Sequence, residues 1–282
     1  VAHLLYFRFW TKFFADHGYL GFSEPVKRLL YNGYINAPDG LKMSKSKGNV
    51  IDPLDVIDSG YGADTLRTYE MFIGPYELDA IWNTGGIGGV YRFLNRCWSL
   101  VQEYLEAKSA DKLVELDKTT QLELLRTEHA TIKKVTEDIY GAQFNTAVST
   151  LMEHLNSLTK LKTAGFDRRL WQAVLSSLCQ LLAPFAPHIA SELYSQLNGE
   201  KCRLEQVAWP VYDEQYLVTD TVKVAVQVNG KLRGELEVAK QIAVEEVEER
   251  ALQLDNVQRF TKDKEIVKRI YVPGKILNLV VK

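Results

Sequence analysis

Cysteine is scarce in this chain, and its spacing excludes more than its number does. Cys97, Cys179 and Cys202 are the three present, far apart and with no C-x-x-C, and the five histidines form no metal-binding pair. A zinc ribbon and a disulfide framework are both excluded, and unpaired thiols fit a reducing compartment, so a cytoplasmic location is expected. Net charge is lacking too. The balance of 34 Lys and Arg against 36 Asp and Glu leaves −2 at pH 7, so any contact with nucleic acid must come from local patches. No apolar run is long enough to span a bilayer and no signal peptide is recognisable, which argues against a membrane partner. What remains is 46% apolar and 25% charged, an ordinary globular composition, and 282 residues are enough for two or three domains.

Against that plain background one segment stands out. Lys42-Met43-Ser44-Lys45-Ser46 is followed by Lys47-Gly48-Asn49 and preceded by the turn signal Ala37-Pro38-Asp39-Gly40. Three lysines so close together cannot all be buried, because lysine is almost never buried unless paired. Backbone N–H groups, hydroxyls and lysines in a glycine-containing loop suit a polyphosphate. Asp52-Pro53 downstream has the form of an N-cap with proline at the first helical position, which would aim a helix N-terminus at the same place. The simpler alternative is a solvated basic turn.

Periodicity divides the rest of the chain. Residues 1–80 mix apolar runs with turns: helices are expected at 4–15, 52–59 and 63–73, while 26–35 is apolar but too short to assign. The glycines of Gly85-Gly86-Ile87-Gly88-Gly89 read as a flexible junction. From about 83 to 198 the period is 3.6: Phe144, Val148, Leu151, Leu155 and Leu158 mark one stripe and Leu125, Ile132, Val135 and Ile139 another, with Arg126, Glu128, Lys133, Lys134 and Glu137 elsewhere on that helix. Trp171, Leu175, Leu178 and Leu182 continue the pattern until Pro184, and an antiparallel helix bundle follows. After a linker at 211–221 the period becomes two. Asn229-Gly230 between alternating runs predicts a hairpin, 244–254 a charged helix and Pro273-Gly274-Lys275 a second hairpin. Glu245, Glu246, Glu248 and Glu249 read as the solvated face of that helix. The expected fold is multidomain and mainly α, as follows: the end of a nucleotide-binding α/β domain (1–80), a helix bundle (81–210) and a small α+β module (222–282).

The string K-M-S-K-S resembles the second signature of class I aminoacyl-tRNA synthetases. Tyr61-Gly62-Ala63-Asp64-Thr65-Leu66-Arg67 looks like the helix opening that follows it in the large aliphatic-specific members. His3-Leu4-Leu5-Tyr6-Phe7-Arg8-Phe9-Trp10, Gly89-Val90-Tyr91-Arg92-Phe93-Leu94-Asn95-Arg96 and Val226-Gln227-Val228-Asn229-Gly230-Lys231-Leu232-Arg233-Gly234 are similar to the bacterial leucine branch rather than to its isoleucine and valine relatives. The resemblance runs through the whole chain but covers only the C-terminal part of that family. The His-x-Gly-His type signature, the editing domain and a zinc insertion have no counterpart, and the first residue is Val1, so a fragment or one subunit of a split enzyme is expected.

The resemblance implies leucine activation with ATP and Mg²⁺ followed by transfer to tRNA(Leu), by an enzyme whose N-terminal catalytic and editing portion lies elsewhere. Lys42 and Lys45 would be the catalytic lysines, with Lys45 the principal phosphate contact. Met43 would offer backbone and bury its side chain, and Ser44 and Ser46 would donate to phosphate or brace the loop. His3 would line the leucine pocket, although a lone histidine beside an apolar helix is also commonly structural. His188, at a Pro-x-His helix start, reads as structural. For tRNA, Lys231, Arg233, Lys268, Arg269 and Lys275 are the candidates, with Lys262 and Lys264 nearby; solubilising residues are the alternative. Arg92 and Arg96 could face tRNA or form internal salt bridges. No metal site is expected in this chain. Alone it is expected to be inactive, and a non-catalytic tRNA-binding subunit or an isoleucyl or valyl relative remain alternatives.

Overall fold

The computed structural model describes residues 2–217, 221–239, 242–262, 264 and 266–282, and the chain divides into two compact units between Tyr212 and Asp213. Val1 and residues 218–220 of the expected linker lie outside the described residues. The molecule is mainly helical with two small sheets.

The first unit begins with α1 (Ala2–Asp16), which buries only Thr11. Leu5, Tyr6, Phe9 and Trp10 are each at least half exposed. An irregular stretch leads to β1 (Ile35–Asn36), which pairs in parallel with β2 (Ala80–Ile81). Between them lie the basic loop, α2 (Pro53–Val56) and α3 (Ala63–Phe72). The helix expected at 52–59 is one α-turn that widens into a π-turn at Ile57–Tyr61 and ends as Gly60 turns to φ 95°. Leu66, Tyr69, Trp82, Ile87 and Val90 form a small core beneath it, joined by Ile35, Met43, Ile51 and Val56.

Five longer helices follow: α4 (Thr84–Ser109), α5 (Lys118–Tyr140), α6 (Phe144–Leu161), α7 (Leu170–Leu182) and α8 (Pro187–Asn198). The caps are local chemistry. The Asp117 carboxylate accepts from the amides of Thr119 and Thr120 to start α5, and Pro187 occupies the first turn of α8. Val148, Leu151, Leu155 and Leu158 of α6 meet Trp171, Leu175, Leu178 and Leu182 of α7 in the main core, as expected from their spacing. Each such side chain contributes roughly 1.5–3 kcal/mol by leaving water.

Two readings of this region need correction. The glycine run is not a flexible junction but the first turns of α4. Asn83 caps it by accepting from Gly85 N (2.9 Å), and Tyr69 Oη donates to Asn83 O (2.6 Å). Tyr69 lies so close that a Cβ on Gly86 would sit 3.0 Å from its ring and would press the tyrosine aside by a few tenths of an ångström, so the missing side chain eases the packing of α4 on Tyr69. On α5 the buried stripe is Leu124, Glu128, Thr131, Ile132, Val135 and Asp138, with Leu125 only half buried.

No break in packing falls near residue 80. Phe72 and Met152 pack against both cores, Thr68 Oγ1 donates to Phe185 O (3.3 Å), and Ile189 N donates to Asp64 Oδ2 (2.7 Å). His188 Nδ1 stands 2.7 Å from Asp64 Oδ1, so its place at the start of α8 is structural. The chain after α8 returns to the bundle. Trp209 Nε1 donates to Thr136 Oγ1 (2.8 Å), and Lys133 Nζ lies 5.6 Å from the Tyr212 ring centroid, which keeps Tyr212 in this unit.

The second unit holds β3 (Thr221–Val228), β4 (Lys231–Ala239), α9 (Val244–Leu252), α10 (Asp255–Thr261), β5 (Ile266–Val272) and β6 (Ile276–Val281). The sheet order is β4-β3-β6-β5, antiparallel except for the central β3–β6 pair. Asn229 at φ 51° and Gly230 at φ 77° make the expected tight hairpin turn. Val224, Val226, Val228, Leu277 and Leu279 meet Val247, Ala251 and Val257, so α9 and α10 pack on one face of the sheet. The helix expected at 244–254 is present as α9 and ends at Leu252, and a second helix that was not expected, α10, follows from Asp255. Leu252 and Leu254 both pack against this core, and in one continuous helix they would point about 200° apart.

Candidate functional site

Pro38 to Asn49 form a braced loop rather than a floppy one. At its foot Gly40 N donates to Ala37 O (2.8 Å), Ala37 N to Leu41 O (2.9 Å) and Leu41 N to Asp39 Oδ1 (2.9 Å). Lys45–Lys47 make a single 3-10 turn that closes through Lys47 N to Ser44 O (3.0 Å) and Gly48 N to Lys45 O (3.2 Å). Gly48 ends the turn at φ 68°, where a side chain would be strained.

The five signature residues face different ways. Met43 turns into the small core, beside a cavity of about 90 Å³ lined by Ile35, Ile51, Val56 and Trp82. Ser44 Oγ and Ser46 Oγ are 2.8 Å apart and brace one another. Lys42 Nζ lies 4.1 Å from the centroid of the Tyr34 ring, a cation–π contact that holds this ammonium against the β1 end of the fold. Lys45 and Lys47 are exposed and make no ion pair with a described residue. Two contributors escaped the sequence reading. Tyr34 carries no motif at all. Asn49 stands just after the signature, where its polar side chain next to glycine was the available signal. The N-terminus of α2 is occupied by its own cap, since Asp52 Oδ1 accepts from Leu54 N (2.9 Å).

His3 is exposed on α1 and stacks loosely on Phe7, with ring centroids 6.4 Å apart. No hydrogen bond or ion pair among the described residues joins α1 to the loop. The ties of α1 run instead to Glu24, through Arg8 (2.6 Å) and Lys12 (3.1 Å). The Arg8 hydrogen bond, followed by that from Lys12, brings the Glu24 carboxyl down to about 2.

The basic candidates of the second unit do not form one patch. Lys231 and Arg269 lie in one transverse row of the sheet, through Val228 and Leu279, but on opposite edge strands. Three strand spacings put them about 14 Å apart. Lys275 sits in the β5–β6 turn, at the other end of the sheet. Arg269 Nε is 3.1 Å from Glu248, which withdraws one expected face-of-helix carboxylate from solvent. Arg233, set where the β3–β4 register shifts, is half buried with its guanidinium 3.6 Å from the Phe260 ring centroid. Lys231, Lys268 and Lys275 are exposed. In the bundle, Arg96 Nη2 donates to Asn156 Oδ1 (2.9 Å), so that arginine is used internally.

Among the described residues no group of three or more His, Cys, Asp and Glu side chains could hold a metal ion, and no helix is long and apolar enough to cross a membrane.

Residues 6–82 match the model of the class I tRNA synthetases for I, L, M and V, and residues 121–249 that of the anticodon-binding domain of tRNA ligases. A leucine–tRNA ligase of Thermotoga petrophila is 43% identical over 289 residues, covering 100% of this chain and 35% of that protein. Another from Deinococcus radiodurans is 41% identical over 283 residues, covering 100% and 33%. The chain is homologous to the leucine–tRNA ligases. It spans about a third of the length of these ligases. A solved ternary complex of an Agrobacterium radiobacter LeuRS with tRNA and LeuAMS matches with a TM-score of 0.69 at 32% identity, over 99% of this chain and 36% of that one. Methionyl-tRNA synthetase of Mycobacterium tuberculosis, at 19% identity and a TM-score of 0.51 over 66% of this chain and 40% of that one, shares the fold alone.

Proposed function

We propose that this chain serves as the C-terminal part of a leucine–tRNA ligase, and that its loop 42–46 meets the phosphates of ATP during leucine activation. In that step the leucine carboxylate attacks the α-phosphorus, the bond to the bridging oxygen breaks, and pyrophosphate leaves with the negative charge. An ammonium that approaches those oxygens more closely in the transition state than in bound ATP lowers the barrier. Lys45 takes this role because it is exposed and has no ion-pair partner among the described residues at the crest of a braced turn, whereas Lys42 is held on Tyr34. Ser44 and Ser46 stiffen the turn between them. The magnesium ion that accompanies ATP in this reading finds no ligand set among the described residues, and no step is assigned to it.

The braced loop with an exposed Lys45 carries the reading, and similarity along the whole chain supports it. The remaining parts are assigned with it. Helices α4 to α8 form the anticodon-binding-type bundle, and residues 222–282 bear on the body of tRNA(Leu). The uncovered aromatic face of α1, with His3 near its start, would pack against the rest of the catalytic portion beside the leucine pocket. The setting is cytoplasmic.

The test is Lys45→Ala at the matching position of a complete leucine–tRNA ligase. Leucine-dependent ATP–pyrophosphate exchange is expected to fall on the order of 10²–10³ in kcat, with the leucine KM nearly unchanged. Wild-type turnover with a selectively raised leucine KM would contradict the role. The chain alone is expected to show no exchange above a mock control.

A further inference from the structure

We propose that Asn49, acting with Asp39, is the positioning clamp that fixes the signature loop and thereby aims Lys45; this rests on the phosphate-binding reading of the loop. Asn49 lies outside the five-residue signature, yet its amide is bonded at both ends across it. Oδ1 accepts from Ser44 N (2.9 Å), while Nδ2 reaches Asp39 Oδ2 (3.3 Å) and Lys42 O (3.4 Å). The Asp39 carboxylate is shared, since its other oxygen accepts from Leu41 N at the foot of the loop (2.9 Å).

These bonds bracket Met43 on both sides. The carbonyl before it and the amide after it are fixed to one side chain, and its own side chain is set in the small core. Lys45 follows one residue beyond the clamped amide. The other ties of the turn, Lys47 N to Ser44 O and Gly48 N to Lys45 O, are local and would travel with the turn if it swung. Three exposed lysines in six residues repel one another, so nothing in the turn itself favours one direction. The clamp supplies that direction. Displacing a group by about 1 Å costs on the order of 10²-fold in rate, so a lost clamp is felt without loss of any phosphate contact residue.

The chemistry of the pair suggests the experiment. Asn49→Asp keeps the acceptor for Ser44 N but sets a second carboxylate against Asp39. Adding Asp39→Asn restores one donor and one acceptor with the direction reversed. In the 282-residue chain, hydrogen exchange at the Ser44 amide should quicken by about tenfold or more in Asn49→Ala. At the matching positions of a complete leucine–tRNA ligase, Asn49→Ala and Asn49→Asp should lower kcat for ATP–pyrophosphate exchange by roughly 10- to 100-fold, with leucine KM within about twofold. The double swap should recover part of that loss, because it restores the bond between the two side chains but not the one to Lys42 O. Unchanged exchange at Ser44 overturns the clamp, and so does a swap no better than Asn49→Asp alone. Faster amide exchange with wild-type kcat overturns the positioning role. An inert Lys45→Ala, by contrast, would fail the phosphate reading itself, so the two failures are told apart.

Discussion

A glutamate in the middle of a helix bundle is either paired or driven to hold its proton more tightly, and burial pushes Glu128 in the second direction against a weaker opposing pull from Ser177. It is 7% exposed on α5, and burial raises its carboxyl from 4.5 to about 7. The folded state therefore holds this proton more tightly than the unfolded chain does. The associated stability is complete below about 4.5 and is lost as the pH rises through about 7, by about 3 kcal/mol if the whole difference is expressed. Glu128→Gln is accordingly expected to be close to neutral at pH 4 and to stabilise by up to about 3 kcal/mol at pH 8, measured by urea unfolding. An increment of the same size at both pH values would refute the assignment. His154, buried and lowered to about 4, works in the opposite direction as pH falls from 6.5, but it is common to both proteins and cancels in the comparison. The sequence concealed this residue for a simple reason. At about 100° per residue Glu128 falls within the stripe drawn through Leu125, Ile132, Val135 and Ile139 as well as within the one that starts at Leu124, so its charge, and not its position, set it outside the expected core.

At the scale of elements, what was legible is what is contiguous in sequence. The basic loop, the Asn229-Gly230 hairpin and the proline break between α7 and α8 each announce themselves within a few residues. Contacts that depend on register do not. Tyr34 comes under Lys42 because β1 and β2 pair, and that pairing needs Gly33. Gly33 N donates to Tyr76 O (2.8 Å), and a Cβ on Gly33 would lie 2.0 Å from Leu78 O. Backbone cannot step aside as a flexible side chain can. Gly33→Ala is therefore expected to cost about 2–3 kcal/mol and to open the 30–50 segment to protease. Gly74→Ala is the control, since its added Cβ meets only Ala80 Cβ, at 3.5 Å. Equal melting temperatures and equal nicking for the two variants would mean that the strands separate without consequence. The glycine run at the start of α4 was misread for the related reason that glycine reports a need for space as readily as a need for freedom.

On the scale of the whole molecule, the second unit has its own core and a basic population that its neighbours have already sorted. Arg233 is committed to Phe260 and Arg269 to Glu248, whereas Lys231, Lys268 and Lys275 are exposed and make no ion pair with a described residue. If this unit grips tRNA through phosphate charge, the affinity of the chain should fall with salt by a log–log slope of roughly −0.7 to −0.9 per neutralised phosphate. Lys231→Ala, Lys268→Ala or Lys275→Ala should each flatten the slope by about one. Arg269→Ala should flatten it less, because its ion pair with Glu248 competes with any phosphate. Arg233→Ala should act mainly on stability, through a stacking contact worth about 0.5–2 kcal/mol. Removal of residues 213–282 should weaken binding and take the whole electrostatic increment with it. Titration of labelled tRNA(Leu) at several salt concentrations distinguishes this order from a solubilising surface. In that alternative all five variants and the deletion would give curves that superimpose on the parent chain, because charges that touch nothing release no counterions when the tRNA arrives.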